Sequence, residues 1–153
     1  MSTELATVAL SIPAMTPEAI ERVREVEMFL LKTQPQFALE MHHVIHAGMY
    51  ARTCCLPAGI VMTGALIKIA TTLVIHGDCF VWFGGGKSQR ITGYAVLPAQ
   101  AGRKQAFRAV SDTHITMMFP TQAKTVPEAE REFTDEADRL APGVATTIIT
   151  GES

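Results

Sequence analysis

The residues able to do chemistry lie mostly in the middle of the chain. His42, His43 and His46 form an H-H-x-x-H cluster. Three imidazoles so close in sequence could hold a metal ion or act as a pH switch. Neighbours on a strand point to opposite faces, however, so His42 and His43 cannot both converge with His46. The cluster therefore reads as two strand histidines and one in the following turn. His76 precedes Gly77-Asp78 and His114 follows Asp112-Thr113. No Ser or Cys is tied to a His–acid pair by its spacing, so a hydrolase triad has no support. Asp78 and Asp112 are the only acids between residues 41 and 125. Nothing pairs them as glycoside hydrolysis requires. Gly84-Gly85-Gly86-Lys87-Ser88 invites comparison with a phosphate loop, but the opening glycine of that motif falls on Val81. Gln89–Leu97 then reads as a strand where the motif needs a helix, so a hairpin loop is expected. Trp82 and Phe83, just before it, read as core fillers.

Arg52, Arg103, Lys104 and Arg108 are the first candidates for holding a small anion, since guanidinium and ammonium groups recognise phosphate and carboxylate. The competing reading, a solvated basic rim facing acidic helices, is preferred because of how charge is distributed. Residues 1–40 hold six acids and three bases, residues 41–125 two acids and eight bases, and residues 126–153 seven acids and two bases. A basic middle lies between acidic ends. The isoelectric point near 6.2 argues against nucleic acid as the partner. Three cysteines, two of them adjacent (Cys54, Cys55, Cys79), make no disulfide framework and read as reduced thiols in apolar stretches.

A chain of 153 residues, 48% hydrophobic and 18% charged, is one domain's worth of material and excludes a disordered tail. No apolar run reaches the roughly 18 residues of a transmembrane helix, and the start of the chain carries no signal-peptide pattern. The expectation is a soluble, unexported protein. Thr16-Pro17-Glu18 is a helix start, and the pattern predicts a helix to about Lys32 with Ile20, Val23, Val26 and Leu30 on one face. Short apolar segments follow: 41–45, 49–56, 61–75, 79–83, 89–97, 105–109 and 114–119. Gly and Pro signals separate them, including a turn at His76-Gly77-Asp78. This predicts an antiparallel barrel or sandwich. Thr125-Val126-Pro127-Glu128 opens a second helix expected over 128–140 and ended by Pro142-Gly143. The β-prone Ala145–Thr150 should add a strand to an edge, that of a partner subunit included. The organisation expected is an N-terminal arm and helix (1–36), a β-barrel (37–121), and a C-terminal helix and tail (122–153).

Tyr50-Ala51-Arg52-Thr53, Leu56-Pro57-Ala58-Gly59, Thr63-Gly64-Ala65-Leu66 and Gly77 follow one another in an order and spacing that resembles the small cupin-like proteins of bacteriophage genomes. Pro98, Gly102-Arg103-Lys104 and Phe119-Pro120-Thr121 continue the likeness, which covers roughly residues 42–121. The resemblance implies a mainly β, cupin-like antiparallel jelly-roll barrel with an N-terminal and a C-terminal helix, usually a dimer. It also implies what is lost. The positions where such proteins carry metal-binding His and Glu are Ile67, Ala70, Thr71 and Phe119, which cannot supply three or four donors. The face Ile67, Ile69, Thr71, Leu73, Ile75 is nearly all apolar, so hydrocarbon is expected inside the barrel, with no metal and no other cofactor. The function implied is a non-catalytic structural or interaction protein, phage-encoded and homo-oligomeric, assembling through its terminal arms. It would act as a virion component or a host-factor binder, in the host cytoplasm or the virion and not at a membrane. The alternative is a small-molecule or nucleotide binder, or a non-metal enzyme, using Arg52, Arg103, Lys104 and Arg108 at the barrel mouth.

Overall fold

Thr16 begins the first helix as its residue type allows. Its Oγ1 accepts the N–H of Ala19 at 3.1 Å, and Pro17 needs no partner at the first helical position. In a computed structural model describing residues 11–84, 86–140 and 144–150, this helix, α1, spans Pro17–Thr33. It ends at Gln34, which is extended ahead of Pro35. The buried residues are Ala19 and Val23. Val26, expected on the inner face, is 43% exposed. The end of the helix overhangs the body, leaving Met28, Phe29 and Leu31 exposed as well.

The strands are β1 (Glu40–His46), β2 (Met49–Leu56), β3 (Val61–Thr63), β4 (Thr71–Gly84), β5 (Lys87–Ala99), β6 (Ala106–Ala109), β7 (Thr113–Pro120) and β8 (Val144–Ile149). A second helix, α2 (Val126–Phe133), and a 3₁₀ turn at Ala137–Arg139 come before β8. Ala47 and Gly48, both at positive φ (53° and 73°), make the tight β1–β2 turn. Strand β5 pairs with β4 along its length, so the other edge of β4 is shared: β7 takes residues 72–76 and β6 takes residues 79–82. Beyond that split the sheet runs β7-β2-β1-β8 on one arm and β6-β3 on the other. The two arms curl one eight-stranded sheet around a shared core. Period-two burial marks the inner face: Thr71, Leu73, Ile75, Cys79 and Val81 are buried on β4, and Thr113, Ile115, Met117 and Phe119 on β7.

Four expectations need correcting. The sheet is mixed, because β8 runs parallel to β1, and the tail pairs with this chain's own β1. The segment 61–75 is not one strand. It leaves the ladder after Thr63, and the N–H of Lys68 turns to the carbonyl of Phe133 at 2.8 Å before β4 begins. The second helix stops at Phe133, where Thr134 turns extended and is buried; Pro142 and Gly143, the expected stop, lie outside the described residues. Finally, His76-Gly77-Asp78 is not a turn, since β4 runs straight through it. Gly77 sits at φ +147°, and a Cβ there would lie 2.5 Å from Thr113 Oγ1 and 2.7 Å from the Asp112 carbonyl oxygen. The glycine serves a close backbone approach inside a strand.

Candidate functional site

Arg103 follows the Ala101-Gly102 turn, where Gly102 takes φ +82°. Its backbone is fixed from two sides: the carbonyl of Gly102 accepts the Met15 N–H, and that of Arg103 accepts the Ile67 N–H at 2.8 Å. The side chain then enters the core and is 1% exposed. Nε donates to Gln105 Oε1 (3.1 Å), and Nη1 to the carbonyls of Gln100 (2.7 Å) and, more weakly, Ile69 (3.4 Å). Nη2 donates to Thr71 Oγ1 (2.7 Å) and lies 3.8 Å from Met117 Sδ. Thus the space around Thr71, expected to hold only hydrocarbon, also holds a guanidinium. Among the described residues no carboxylate is paired with it. Burial pushes its pKa down to about 10. Its five N–H groups all face neighbours, whereas the buried Nε2 of Gln105 has no partner.

The other three basic candidates lie apart from this point. Lys104, on the adjoining residue, is 2% exposed; Nζ donates to the Gly64 carbonyl (2.7 Å) and Glu27 of α1 (3.1 Å). Arg52 shares the inner face with Tyr50. It donates to Glu130 of α2 at 2.7 Å and to the Tyr50 hydroxyl at 3.2 Å, with its guanidinium over the Phe133 ring. Arg108 is exposed on β6 and stacks on Phe80, whose ring also carries Arg90. The four do not form a common rim. Arg52 and Lys104 instead neutralise Glu130 of α2 and Glu27 of α1, Lys68 pairs with Asp135 just after α2, and Arg24 of α1 pairs with Glu136. The acidic arms do lie against a basic body. A surface recess of about 580 Å³ over α2, lined by Pro127, Glu130, Arg131 and Asp135 among others, touches none of the four.

The histidines separate as strand parity requires. His43 is buried, with Nδ1 2.8 Å from the Tyr50 hydroxyl and its ring stacked on Tyr50. Burial first, and then the Arg52 charge, lowers its pKa below 6.5, so it is neutral at pH 7. Tyr50 is wholly buried and edge-on to Phe119, and its phenol is pushed up by burial. His42 faces outward to Glu40 and His46 to Thr150. The chain His43–Tyr50–Arg52–Glu130, buried at its first two members and half-buried at the last two, was not read as a unit from sequence. Its only sequence signal is that His43 and Arg52 are equally spaced from the Ala47-Gly48 turn and so face each other in register. The chain joins the β1–β2 hairpin to α2.

No protein-family model matches the chain, and no curated protein is similar to it. Solved structures that resemble it are cupin and RmlC-like double-stranded β-helix proteins. Ectoine synthase from P. lautus aligns at 16% identity and a TM-score of 0.49, covering 65% of this chain and 75% of its own. An uncharacterised conserved protein with a double-stranded β-helix domain from Klebsiella pneumoniae aligns at 12% identity and 0.47, covering 59% and 84%. A cupin superfamily protein from Desulfitobacterium hafniense aligns at 10% and 0.42, covering 51% and 72%. These likenesses carry no activity over to this chain. No described helix is long and apolar enough to cross a membrane.

Proposed function

We propose that the chain is a non-catalytic, cupin-like interaction module whose first partner is a second copy of itself, joined through β8. The observation that carries this reading is the outer edge of β8, which pairs with no other strand among the described residues. One side of the strand pairs with β1, and residues 145–150 are exposed. The run Ala145-Thr146-Thr147-Ile148-Ile149-Thr150 is β-branched apart from its first residue and holds no charge and no proline, the usual devices that keep an edge from pairing. The free edge of β5, by contrast, carries Arg90 and Pro98 and is partly covered at Ile12. Ile148 and Ile149 are 56% and 45% exposed. A two-fold axis would set β8 antiparallel to its copy, a self-complementary contact. In the phage setting implied by the sequence resemblance, such a dimer would serve as a virion part or a host-factor binder. The alternative of an anion binder at a basic rim is disfavoured because Arg52, Arg103 and Lys104 are committed to internal bonds.

Light scattering across concentration tests the reading. The N–H of Thr150 bonds the Ile45 carbonyl, so by period two the N–H of Thr147 faces the free edge. Thr147→Pro removes that donor without touching the β1 ladder. The wild type should be a dimer and the variant a monomer with unchanged circular dichroism. A wild type that stays monomeric at every concentration, or a variant that dimerises as well, overturns the proposal.

A further inference from the structure

The outer face of the β1–β2 ladder gathers three chemically different metal donors. Glu40 and His42 are two apart on β1 and share that face, and Cys55 is the register partner of Glu40 on β2. One oxygen of Glu40, one ring nitrogen of His42 and the Sγ of Cys55 all lie within 4.8 Å of one another. His42 Nε2 is already 2.7 Å from Glu40 Oε2. In tetrahedral zinc sites, bonds of about 2.0–2.3 Å put donor atoms roughly 3.3–3.8 Å apart. A small opening of the Glu40–His42 contact therefore seats an ion between the three.

We infer that Glu40, His42 and Cys55 form a surface site for a borderline-soft divalent ion of the zinc class. The donor set selects the ion: a thiolate and an imidazole disfavour magnesium and calcium, and one carboxylate completes a neutral-to-anionic cage for zinc, cobalt or cadmium. The fourth position opens to solvent. The site is separate from the barrel interior and revises the expectation of a metal-free chain only at this outer face. Of the three clustered histidines, His43 faces the interior and His46 bonds Thr150, so His42 is the one that joins Glu40 and Cys55. Without an ion, burial and the Glu40 carboxylate hold the Cys55 thiol above its ordinary pKa, so a bound cation would release its proton.

Cobalt(II) titration of the reduced full chain tests the inference, followed by zinc competition. One equivalent should produce a thiolate-to-cobalt charge-transfer band in the near ultraviolet that zinc abolishes. Cys55→Ser should remove the band, and His42→Ala and Glu40→Gln should each weaken zinc binding by at least about tenfold. The latter two sit on the exposed face and preserve the fold if Cys55→Ser does not. Absence of a band, a band that survives Cys55→Ser, or zinc affinity indifferent to His42→Ala, as for a lone reactive thiol, overturns the site.

Discussion

Replacing Arg103 by Met separates two opposed effects at one buried group. Burial lowers the Arg103 pKa from its ordinary value to about 10, which means that holding the charge inside costs roughly 3 kcal/mol. Opposing this are three bonds of 3.1 Å or shorter, to Gln100, Thr71 and Gln105. Bonds from a charged donor contribute about 1.5–3 kcal/mol each, so together they supply roughly 5 kcal/mol or more and the balance favours the arginine by about 2 kcal/mol. Methionine fills much of the volume but leaves those acceptors buried without a donor. Urea unfolding should show Arg103→Met destabilised by about 2–4 kcal/mol. Adding Thr71→Val should restore about 1 kcal/mol, because the stranded hydroxyl is gone. The pH dependence has a defined sign. The charge penalty is present below the folded pKa and is relieved as pH rises above about 10 towards the higher value of the unfolded chain. Over that window the wild type should therefore gain on the variant. A variant as stable as the wild type at neutral pH would refute the claim that the guanidinium braces the interior. Failure of Thr71→Val to restore anything would refute the assigned partner.

Two further outcomes follow from neighbouring geometry. Gly77→Ala should cost at least about 3 kcal/mol, since it combines a positive φ with a Cβ 2.5 Å from Thr113 Oγ1; thermal unfolding measures it, and a loss under about 1 kcal/mol would contradict the close approach. His43, whose folded pKa lies below 6.5, contributes stability that is present above pH 6.5 and lost on acidification through the window below it, because the unfolded chain binds that proton first. His43→Phe should flatten that part of the stability–pH curve measured by urea unfolding, and an unchanged slope would show that the imidazole is not held neutral.

The legible parts of the molecule are those where a local pattern and the global packing agree. Thr16-Pro17 sets the start of α1, β2 runs from Met49 to Leu56 as read, and the alternation at Thr71, Leu73 and Ile75 gives the inner face of β4. Arg103 and Lys104 were misread because a basic pair after a Gly turn has no local mark of burial. Their enclosure depends on Met15, Ile67 and Glu27, all distant in sequence. Gly77 was misread because a glycine needed for backbone proximity looks, in one dimension, like a glycine needed for a turn. Ile67 and Ile69 have strand-like alternation, but Ile67 keeps only an isolated antiparallel bridge to Arg103 and the N–H of Lys68 turns to Phe133, contacts only the three-dimensional arrangement creates.

The sharing of one β4 edge between β6 and β7 also orders the events of self-assembly. The β4–β5 ladder closes over a few residues at Gly84 and Lys87, so it can zip early at small entropic cost. The β2–β7 ladder joins Leu56 to Thr113 and Met49 to Pro120, and so must wait for a long loop to close. A nascent chain leaving the ribosome therefore holds a finished hairpin with a vacant flank until β6 and β7 emerge. In that interval the side of β4 that later seats two strands is the part of the molecule most exposed to misassembly.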